Sequence, residues 1–360
     1  MLFFELIRIA IGRQETLSHT PSPEEWHELF EEAKRQTLVG VLYDGLCRLS
    51  ADQKPPRQLL INWHATIQKI IIDNKRVNRD AIWVSERFRK AGFRNAILKG
   101  QGNALLYPDP MLRTSGDIDI WLDGERDKII DYVTRLFPKT KVQWQEVEFP
   151  VRKDTSIEVH TIPALMFHPA DRHRMEAYFD QHRDEIFNNE TELPGEQGKI
   201  CIPTLRVNLT FQLIHIYRHI FNEGIGLRQL VDYYYLLQHC LKEGQTGLLP
   251  ETALMVQRLH MSRFVGALMW VMQKVFNLQD ELLILPANER EGRFLLREIM
   301  LAGNFGQHDS RNQIKQSKWG NFWQQTLRNM RFLTHYPREV IWNPWYRLTQ
   351  FIWRKRKGYQ

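Results

Sequence analysis

The sequence predicts an α/β fold in which a small mixed sheet, at about residues 92–162, lies among helical segments. Apolar residues recur with the helical period through residues 1–91 and again through 163–335. Between these regions the pattern changes to short apolar runs and alternating segments, separated by glycine and proline, as is typical of strands and turns. We therefore expect an N-terminal helical region, a core sheet, a helical domain and, at 336–360, a basic aromatic tail.

The composition excludes several classes of protein. The chain has 360 residues, of which 43% are hydrophobic and 25% are charged, so it is neither disordered nor a coiled coil. Its 3 cysteines lack a CxxC spacing, which argues against a disulfide framework or a structural zinc site. Glu5 and Arg8 interrupt the apolar N-terminus, and no apolar run is long enough to span a membrane. We expect a cytoplasmic protein.

The N-terminal region should contain a capped helix and a much longer one. Ser22 can cap a helix that begins at Pro23, because acidic residues follow in the first turn and apolar residues then recur at helical spacing. The long helix should run from Leu59, after a Pro-Pro pair, to Lys90, before Gly92. The region is therefore predicted to be helical.

The core sheet should combine strands with two helices. A short apolar run that ends in Lys99-Gly100 suits a buried strand, and the segment GDIDIWL at 116–122 alternates as a half-buried strand does. The other predicted elements are a short helix at 101–107, a helix at 125–137, and strands at 142–149 and 156–162. After Pro163 the chain should return to helix.

Acidic residues on two of the predicted strands point to a metal site. Asp117 and Asp119 are two apart in a strand pattern, so both side chains project from one face. Glu158 and His160 share one face of the later strand for the same reason. If the two strands are neighbours, Asp117, Asp119 and Glu158 converge as oxygen donors of the kind that Mg²⁺ prefers. The alternative is a polar strand face on solvent, since such spacings, like the E-V-E at 146–148, also arise by chance.

The residues before the acidic strand indicate how a phosphate could be held. Gly100 follows a predicted strand, where a glycine permits close approach of the backbone. Lys99 would supply a point charge for a triphosphate, and Arg113 a forked pair of donors. The alternative is that Gly100 and Gly102 only form a turn.

A string of short motifs runs through this region. Its members are Leu98-Lys99-Gly100, Tyr107-Pro108, Pro110, Arg113, Gly116-Asp117, Asp119 and Glu158-Val159-His160. The string resembles the polymerase-β-like nucleotidyltransferase superfamily and, within it, an uncharacterised bacterial family. A toxin-type nucleotidyltransferase family has a similar string, in which LKGG precedes a D-x-D.

The resemblance implies a mixed sheet flanked by helices, bound Mg²⁺ or Mn²⁺, and transfer of a nucleotidyl group from an NTP to an acceptor hydroxyl. The catalytic metal ligands would be Asp117, Asp119 and Glu158. The residues that hold the nucleotide would be Lys99, Gly100, Arg113 and Gly116. The acceptor could be a small molecule, a protein or RNA. Two alternatives are a non-catalytic nucleotide-binding or scaffold protein and a toxin-like enzyme that modifies RNA or tRNA.

Further residues could contact these ligands and fix their orientation without binding the metal. His160 could do so, or could only fill a polar edge of the sheet. The resemblance adds a histidine-bearing helix followed by an arginine and an aspartate, here His219, Arg228 and Asp232. His215 and His219 are four apart, and packing at a helix edge is their favoured interpretation. A surface ion pair is the alternative for Arg228 and Asp232.

The tail concentrates the net positive charge of +7. From Arg311 onward the chain has eleven Lys or Arg but a single acid, Glu339, and several tryptophans lie among the cations. Such a segment can follow a nucleic-acid strand, or can lie on an anionic membrane surface. The third interpretation, which we favour slightly, is a terminal helix docked by its tryptophans with its cations in solvent.

Overall fold

The computed structural model describes residues 1–306 and 318–359. Two of the eleven basic residues counted from Arg311 onward, Arg311 and Lys315, lie outside the described residues. The helices of the described part are α1 (Leu2–Ala10), α2 (Pro23–Arg35), α3 (Val39–Arg48), α4 (Arg57–Lys90), α5 (Gln101–Ala104), α6 (Arg126–Leu136), α7 (Pro169–Gln181), α8 (Arg183–Phe187), α9 (Leu205–Asn222), α10 (Leu227–Lys242), α11 (Leu248–Arg258), α12 (Ser262–Phe276), α13 (Glu289–Ala302), α14 (Lys318–Met330) and α15 (Pro337–Lys357). The strands are β1 (Asn95–Ile97), β2 (Ile118–Leu122), β3 (Glu146–Glu148), β4 (Ile157–His160), β5 (Glu190–Glu192) and β6 (Lys199–Cys201).

Four strands form a mixed sheet in the order β1-β2-β4-β3. β2 pairs antiparallel with β1 and parallel with β4, and β4 pairs antiparallel with β3. The parallel pair is possible because α6 and β3 lie between β2 and β4 in the chain and supply the crossover. The predicted α/β class, with a small mixed sheet among helices, is therefore confirmed.

A second sheet contradicts the prediction that the chain after Pro163 is helical. β5 and β6 pair antiparallel as a hairpin, and Leu193 and Ile200 are buried in the core beneath the first sheet. Each strand has three residues. A segment this short shows too little alternation to be separated from a loop by sequence pattern.

The two faces of the four-stranded sheet differ in polarity. Ile118 and Ile120 of β2 and Ile157 and Val159 of β4 lie in an apolar cluster with residues of α4 and α6. Their alternate neighbours point to the other face, where α9 and α10 carry the residues of the candidate site. The sheet thus separates an apolar core layer from a polar layer.

The N-terminal helices follow the sequence signals. Ser22 Oγ accepts a hydrogen bond from the Glu25 backbone N–H at 3.2 Å, and Glu25 Oε2 accepts one from the Ser22 N–H at 2.8 Å. This reciprocal pair satisfies two of the free N–H groups at the start of α2. The long helix predicted from Leu59 to Lys90 is α4, which begins slightly earlier, at Arg57.

The tail helix docks on the protein, but two of its tryptophans are not the buried anchors that the sequence predicts. Its buried residues are Glu339, Val340, Asn343 and Tyr346. Trp342 is 38% exposed and Trp345 is 60% exposed, so that part of the prediction is wrong. Trp353 does pack, edge to face, on Trp144 with 5.3 Å between ring centroids. Within the described residues, no helix combines the length and apolar character needed to cross a membrane.

The stability contributions of two indoles should differ sharply. Trp63 is fully buried, lies 4.8 Å from the Phe30 ring, and donates from Nε1 to the Val39 carbonyl at 2.9 Å. We expect Trp63→Ala to lower the free energy of unfolding by about 3–5 kcal/mol, through lost packing and an unpaired carbonyl. The matched control Trp345→Ala should cost less than about 0.5 kcal/mol, because its indole is largely in solvent. Urea unfolding of the three proteins tests this, and equal losses would contradict it.

The anchor of the tail helix should make stability depend on pH. Glu339 accepts hydrogen bonds from the Phe167 and His168 backbone N–H groups at 2.7 and 3.2 Å. Burial raises the pKa of Glu339 from its usual 4.5 to about 7, although these N–H groups and Arg172 act in the opposite direction. The folded protein therefore holds this proton more tightly than the unfolded chain, and its contribution to stability falls as pH rises from about 4.5 to about 7.

Replacing Glu339 with glutamine removes this titration. The free energy of unfolding of Glu339→Gln minus that of the wild type should rise by up to about 3 kcal/mol between pH 4.5 and pH 7, and then stay constant. Urea unfolding at a series of pH values measures the difference, and the histidines shared by both proteins cancel from it. A difference that does not change with pH would show that Glu339 does not titrate in this range.

Candidate active site

The parallel pairing of β2 with β4 brings the predicted acidic residues together. Asp119 is the register partner of Glu158, and Trp121 is the partner of His160. Partner residues in a sheet project from the same face, so Asp119, Glu158 and His160 adjoin one another. Each offers a metal-ligating atom, and these atoms lie within 4.8 Å of one another. The alternation of the sequence predicted which residues share a face of each strand. The register between β2 and β4 brings those residues together.

Asp119 is the most enclosed residue of the group, with 2% exposure. Its Oδ1 contacts His160 Nε2 at 2.9 Å, and its Oδ2 lies 2.8 Å from Lys99 Nζ. Burial alone would raise the pKa of Asp119, but the charge of Lys99 and the hydrogen bond from His160 hold it well below its usual range. The same carboxylate raises the pKa of His160 against the effect of burial. His160 therefore donates to Asp119 and fixes the orientation of that carboxylate.

Negative charge exceeds positive charge around Asp119. The pKa of Asp117 is raised by the neighbouring Asp119 carboxylate and by burial, with Lys99 and Arg228 opposing. The pKa of Glu158 is raised to about 7 by burial and by the carboxylates of Glu146 and Asp119. Asp117 lies outside the compact group of Asp119, Glu158 and His160. Its predicted role as a metal ligand stays a prediction.

Sequence reasoning missed Glu146, which it had cited only as a chance acidic spacing. β3 places Glu146 opposite His160, on the same face as the other acids. Its carboxylate accepts hydrogen bonds from the Gln143 and Gln145 side chains, each at 2.7 Å, and lies 4.0 Å from Arg218 Nη2. The E-V-E alternation in a predicted strand was the signal, but the neighbouring strand could not be known from it.

A cleft opens beside Asp119, and Glu158 is not among the residues that line it. Lys99 and Gly100 follow β1 in a sharp turn in which Gly100 has φ +54°, a conformation that favours glycine. The predicted helix after this turn is only the four-residue α5. The residues that line the cleft are Lys99, Gly100, Asn103, Arg113, Gly116, Asp117, Asp119, Gln212, His215, Arg228, Gln229 and Asp232. The predicted nucleotide-binding residues therefore lie around one opening, and their role stays a prediction.

Arg113 is held by a buried ion pair within this cleft. Its Nε and Nη2 donate to the two oxygens of Asp232 at 2.8 and 2.7 Å, across 119 positions of sequence. The Tyr107 hydroxyl donates to the same carboxylate at 2.5 Å. Burial alone would raise the pKa of Asp232, but these partners hold it below its usual range. The forked donors of Arg113 are thus already engaged by a carboxylate.

Arg228 and Asp232 are not a surface ion pair, so that alternative is wrong. They are 7% and 3% exposed, and Asp232 bonds to Arg113. Arg228 Nη1 donates to the Thr114 carbonyl at 3.1 Å, and its guanidinium lies beside Gly116 and acts electrostatically on Asp117. α10 begins at Leu227, directly before Arg228, so the start of this helix places Arg228 at the cleft.

The two histidines of α9 adjoin each other near the cleft. The His215 and His219 rings are 4.3 Å apart, and His215 lines the opening. Burial and the charge of Lys99 lower the pKa of His215 well below its usual value. Burial also lowers the pKa of His219, against a contact with Glu223. Both rings are therefore neutral near pH 7, and the supporting role predicted for His219 stays a prediction.

Residues 22–277 match the model of a protein family described as "Uncharacterised nucleotidyltransferase". The chain belongs to this family. The matched range contains the four-stranded sheet, the acidic group and the cleft. Family membership indicates a nucleotidyltransferase without naming its substrate or acceptor.

Comparison with other proteins adds little. No curated protein matches the chain. Among solved structures, the chain is similar to an antigenic nucleotidyltransferase-like protein from Paracoccidioides brasiliensis, with 14% sequence identity and a TM-score of 0.34. The similarity covers 60% of this chain and 96% of that one.

Removing the partner of Arg113 should strongly destabilise the protein. Asp232→Asn leaves a buried guanidinium without its counter-charge, and we expect a loss of about 3–5 kcal/mol in the free energy of unfolding. Replacing both partners with apolar residues, Arg113→Met together with Asp232→Leu, should recover much of that loss. The exposed Asp131→Asn on α6 is the control. Urea unfolding measures all four proteins, and a mild effect of Asp232→Asn would contradict the buried pair.

Proposed function

We propose that this protein transfers a nucleotidyl group from an NTP to an acceptor hydroxyl, with the help of Mg²⁺ or Mn²⁺. The observation that carries the proposal is the group of Asp119, Glu158 and His160, whose ligating atoms lie within 4.8 Å of one another beside Lys99. Family membership supports the class of reaction. The place of the chain in the polymerase-β-like superfamily and its cytoplasmic location belong to the same proposal.

The charges around the site fit a divalent cation. Asp117 and Glu158 both have raised pKa values, which are caused in part by the carboxylates beside them. A divalent cation would relieve this repulsion. His160 Nε2 is directed at Asp119, so carboxylate oxygens are the available ligands, and oxygen ligands favour Mg²⁺ or Mn²⁺ over softer metals.

The residues around the site divide between the two reactants. A bound cation would neutralise charge on the phosphates and stabilise the departing pyrophosphate. Lys99 and Arg228 lie at the cleft, where they would bind and orient the triphosphate. Glu158 does not line that cleft and would face the acceptor. The acceptor hydroxyl would lose its proton to solvent, and its oxygen would form a bond to the α-phosphorus as the bond from that phosphorus to the oxygen that bridges to the β-phosphate breaks.

Substitution of the acidic residues should separate metal binding from folding. We expect Asp119→Asn to abolish metal-dependent release of pyrophosphate, and Asp117→Asn to weaken Mg²⁺ or Mn²⁺ binding at least about tenfold. Lys99→Ala should weaken NTP binding far more than metal binding, because the ammonium would pair with phosphate. Calorimetric titration with metal and with each NTP measures the affinities, and Asp131→Asn is the matched control.

The activity measurement distinguishes the alternatives. Purified protein is incubated with each NTP and Mg²⁺ or Mn²⁺, and pyrophosphate and transfer of α-labelled nucleotide to added RNA, proteins or small hydroxyl compounds are followed. Transfer only to RNA or tRNA would favour the toxin-like alternative. Metal-dependent NTP binding without pyrophosphate release would favour the non-catalytic alternative. Equal metal affinity in the wild type and Asp117→Asn would contradict the assignment of Asp117.

A further inference from the structure

The last two described helices expose apolar side chains where a surface helix ordinarily exposes polar ones. We call these residues the apolar face: Trp323, Leu327 and Met330 of α14, and Ile341, Trp345, Leu348 and Ile352 of α15. Their exposure ranges from 38% for Leu348 to 70% for Leu327. Single exposed apolar residues are common, but a contiguous set marks a surface that binds something.

The spacing shows that the apolar face is one continuous side of each helix. On α14 the residues follow at intervals of four and three, and on α15 at intervals of four, three and four, which places them in one row. The two helices contact each other, since Arg347 of α15 donates to the Phe322 carbonyl of α14 at 3.1 Å. The residues of the apolar face therefore lie on two helices that contact each other.

The buried side of α15 carries two polar residues, Glu339 and Asn343, beside Val340 and Tyr346. Glu339 and Asn343 are 3% and 1% exposed, and Glu339 is fixed by the backbone N–H groups of Phe167 and His168. An ordinary amphipathic surface helix buries its apolar stripe, whereas α15 leaves much of its apolar surface exposed. The contacts of Glu339 fix which side of the helix points outward.

Basic residues follow the apolar face at the C-terminal end of α15. Lys355 and Arg356 are exposed one turn beyond Ile352, and neither makes an ion pair within the described residues. Lys357 is engaged with Asp127 at 3.0 Å. The only acid between Arg311 and the end of the sequence is Glu339, which is buried. The face thus offers apolar groups and positive charge, with no acidic side chain of its own to balance the cations.

Exposed apolar groups next to unbalanced positive charge distinguish between possible binding partners of the apolar face. A second copy of the face would cover the apolar groups but would bring the same cations and no acids. A nucleic acid would pair with the cations but would leave the aliphatic side chains of Leu327, Ile341 and Leu348 in water. A layer of anionic lipid headgroups satisfies both, because indoles and aliphatic side chains enter the headgroup boundary while Lys and Arg meet the anionic charge.

We propose that the apolar face binds the surface of an anionic lipid bilayer, with α14 and α15 lying in the headgroup plane. None of the residues that line the candidate cleft belongs to α14 or α15, so this proposal does not depend on the proposed function.

The test is flotation of the full-length protein with vesicles. The vesicles are phosphatidylcholine alone, or phosphatidylcholine mixed with an equal amount of phosphatidylglycerol. We expect binding to the mixed vesicles and little binding to phosphatidylcholine. Trp345→Glu should lower the partition coefficient at least about tenfold, since a charge replaces an inserted indole. Leu348→Glu is a second variant with the same expectation, and circular dichroism confirms that each variant is folded.

Matched controls separate the face from general surface effects. Leu254→Glu changes a side chain on α11 that is 57% exposed but lies outside the face, and it should leave binding unchanged. Lys355→Glu with Arg356→Glu should weaken binding to the mixed vesicles at least about thirtyfold. The pair Lys69→Glu and Lys75→Glu on α4 makes the same change in net charge and should have little effect.

Several results would overturn the proposal. Equal binding of the wild type to both kinds of vesicle would show that the face does not recognise anionic lipid. Self-association that Trp345→Glu abolishes, measured by light scattering in the absence of vesicle binding, would assign the face to a second copy. RNA binding that is lost with Lys355 and Arg356 but not with Trp345, again without vesicle binding, would assign it to nucleic acid.

Discussion

The parallel pairing of β2 with β4 is the constraint on which the candidate site depends. It sets Asp119 opposite Glu158, so that two carboxylates share one sheet face at a fixed separation. Charges this close cannot all remain ionised in a buried place without a counter-charge. Lys99, at 2.8 Å from Asp119, supplies part of this counter-charge. The repulsion that Lys99 does not offset raises the pKa values of Asp117 and Glu158. The geometry of the sheet therefore creates the electrostatic demand that a cation would meet.

Local patterns predicted much of the fold and part of the site. Strand alternation placed Asp119 on one face, and the capping signals at Ser22 gave the start of α2. These features depend on residues close in sequence. The partner of Arg113 could not be predicted in this way, because Asp232 lies 119 positions away and bonds to it only through tertiary packing. Glu146 was missed for a similar reason, since only the pairing of β3 with β4 makes it a neighbour of His160.

The composition of the tail correctly predicts a helix that docks on the protein, but it does not predict which side of the helix is buried. Aromatic residues occur on both sides of α15, so their number favoured docking by tryptophan without deciding which side is inside. The decision comes from Glu339 and Asn343, polar residues whose buried environment sequence does not reveal. As a result Tyr346 is inside and Trp345 is outside. Hydrophobicity alone is a poor guide where specific polar contacts anchor a helix.

The distance along the chain between Arg113 and Asp232 also bears on how the protein can be divided. Arg113 lies between β1 and β2, whereas Asp232 belongs to α10, after the four-stranded sheet is complete. During synthesis the sheet emerges before the carboxylate that neutralises the arginine beside it. A fragment that contains the sheet but stops before α10 would lack the carboxylate that holds Arg113 and three of the residues that line the cleft. The smallest independently folding unit that retains the cleft must therefore extend through α10.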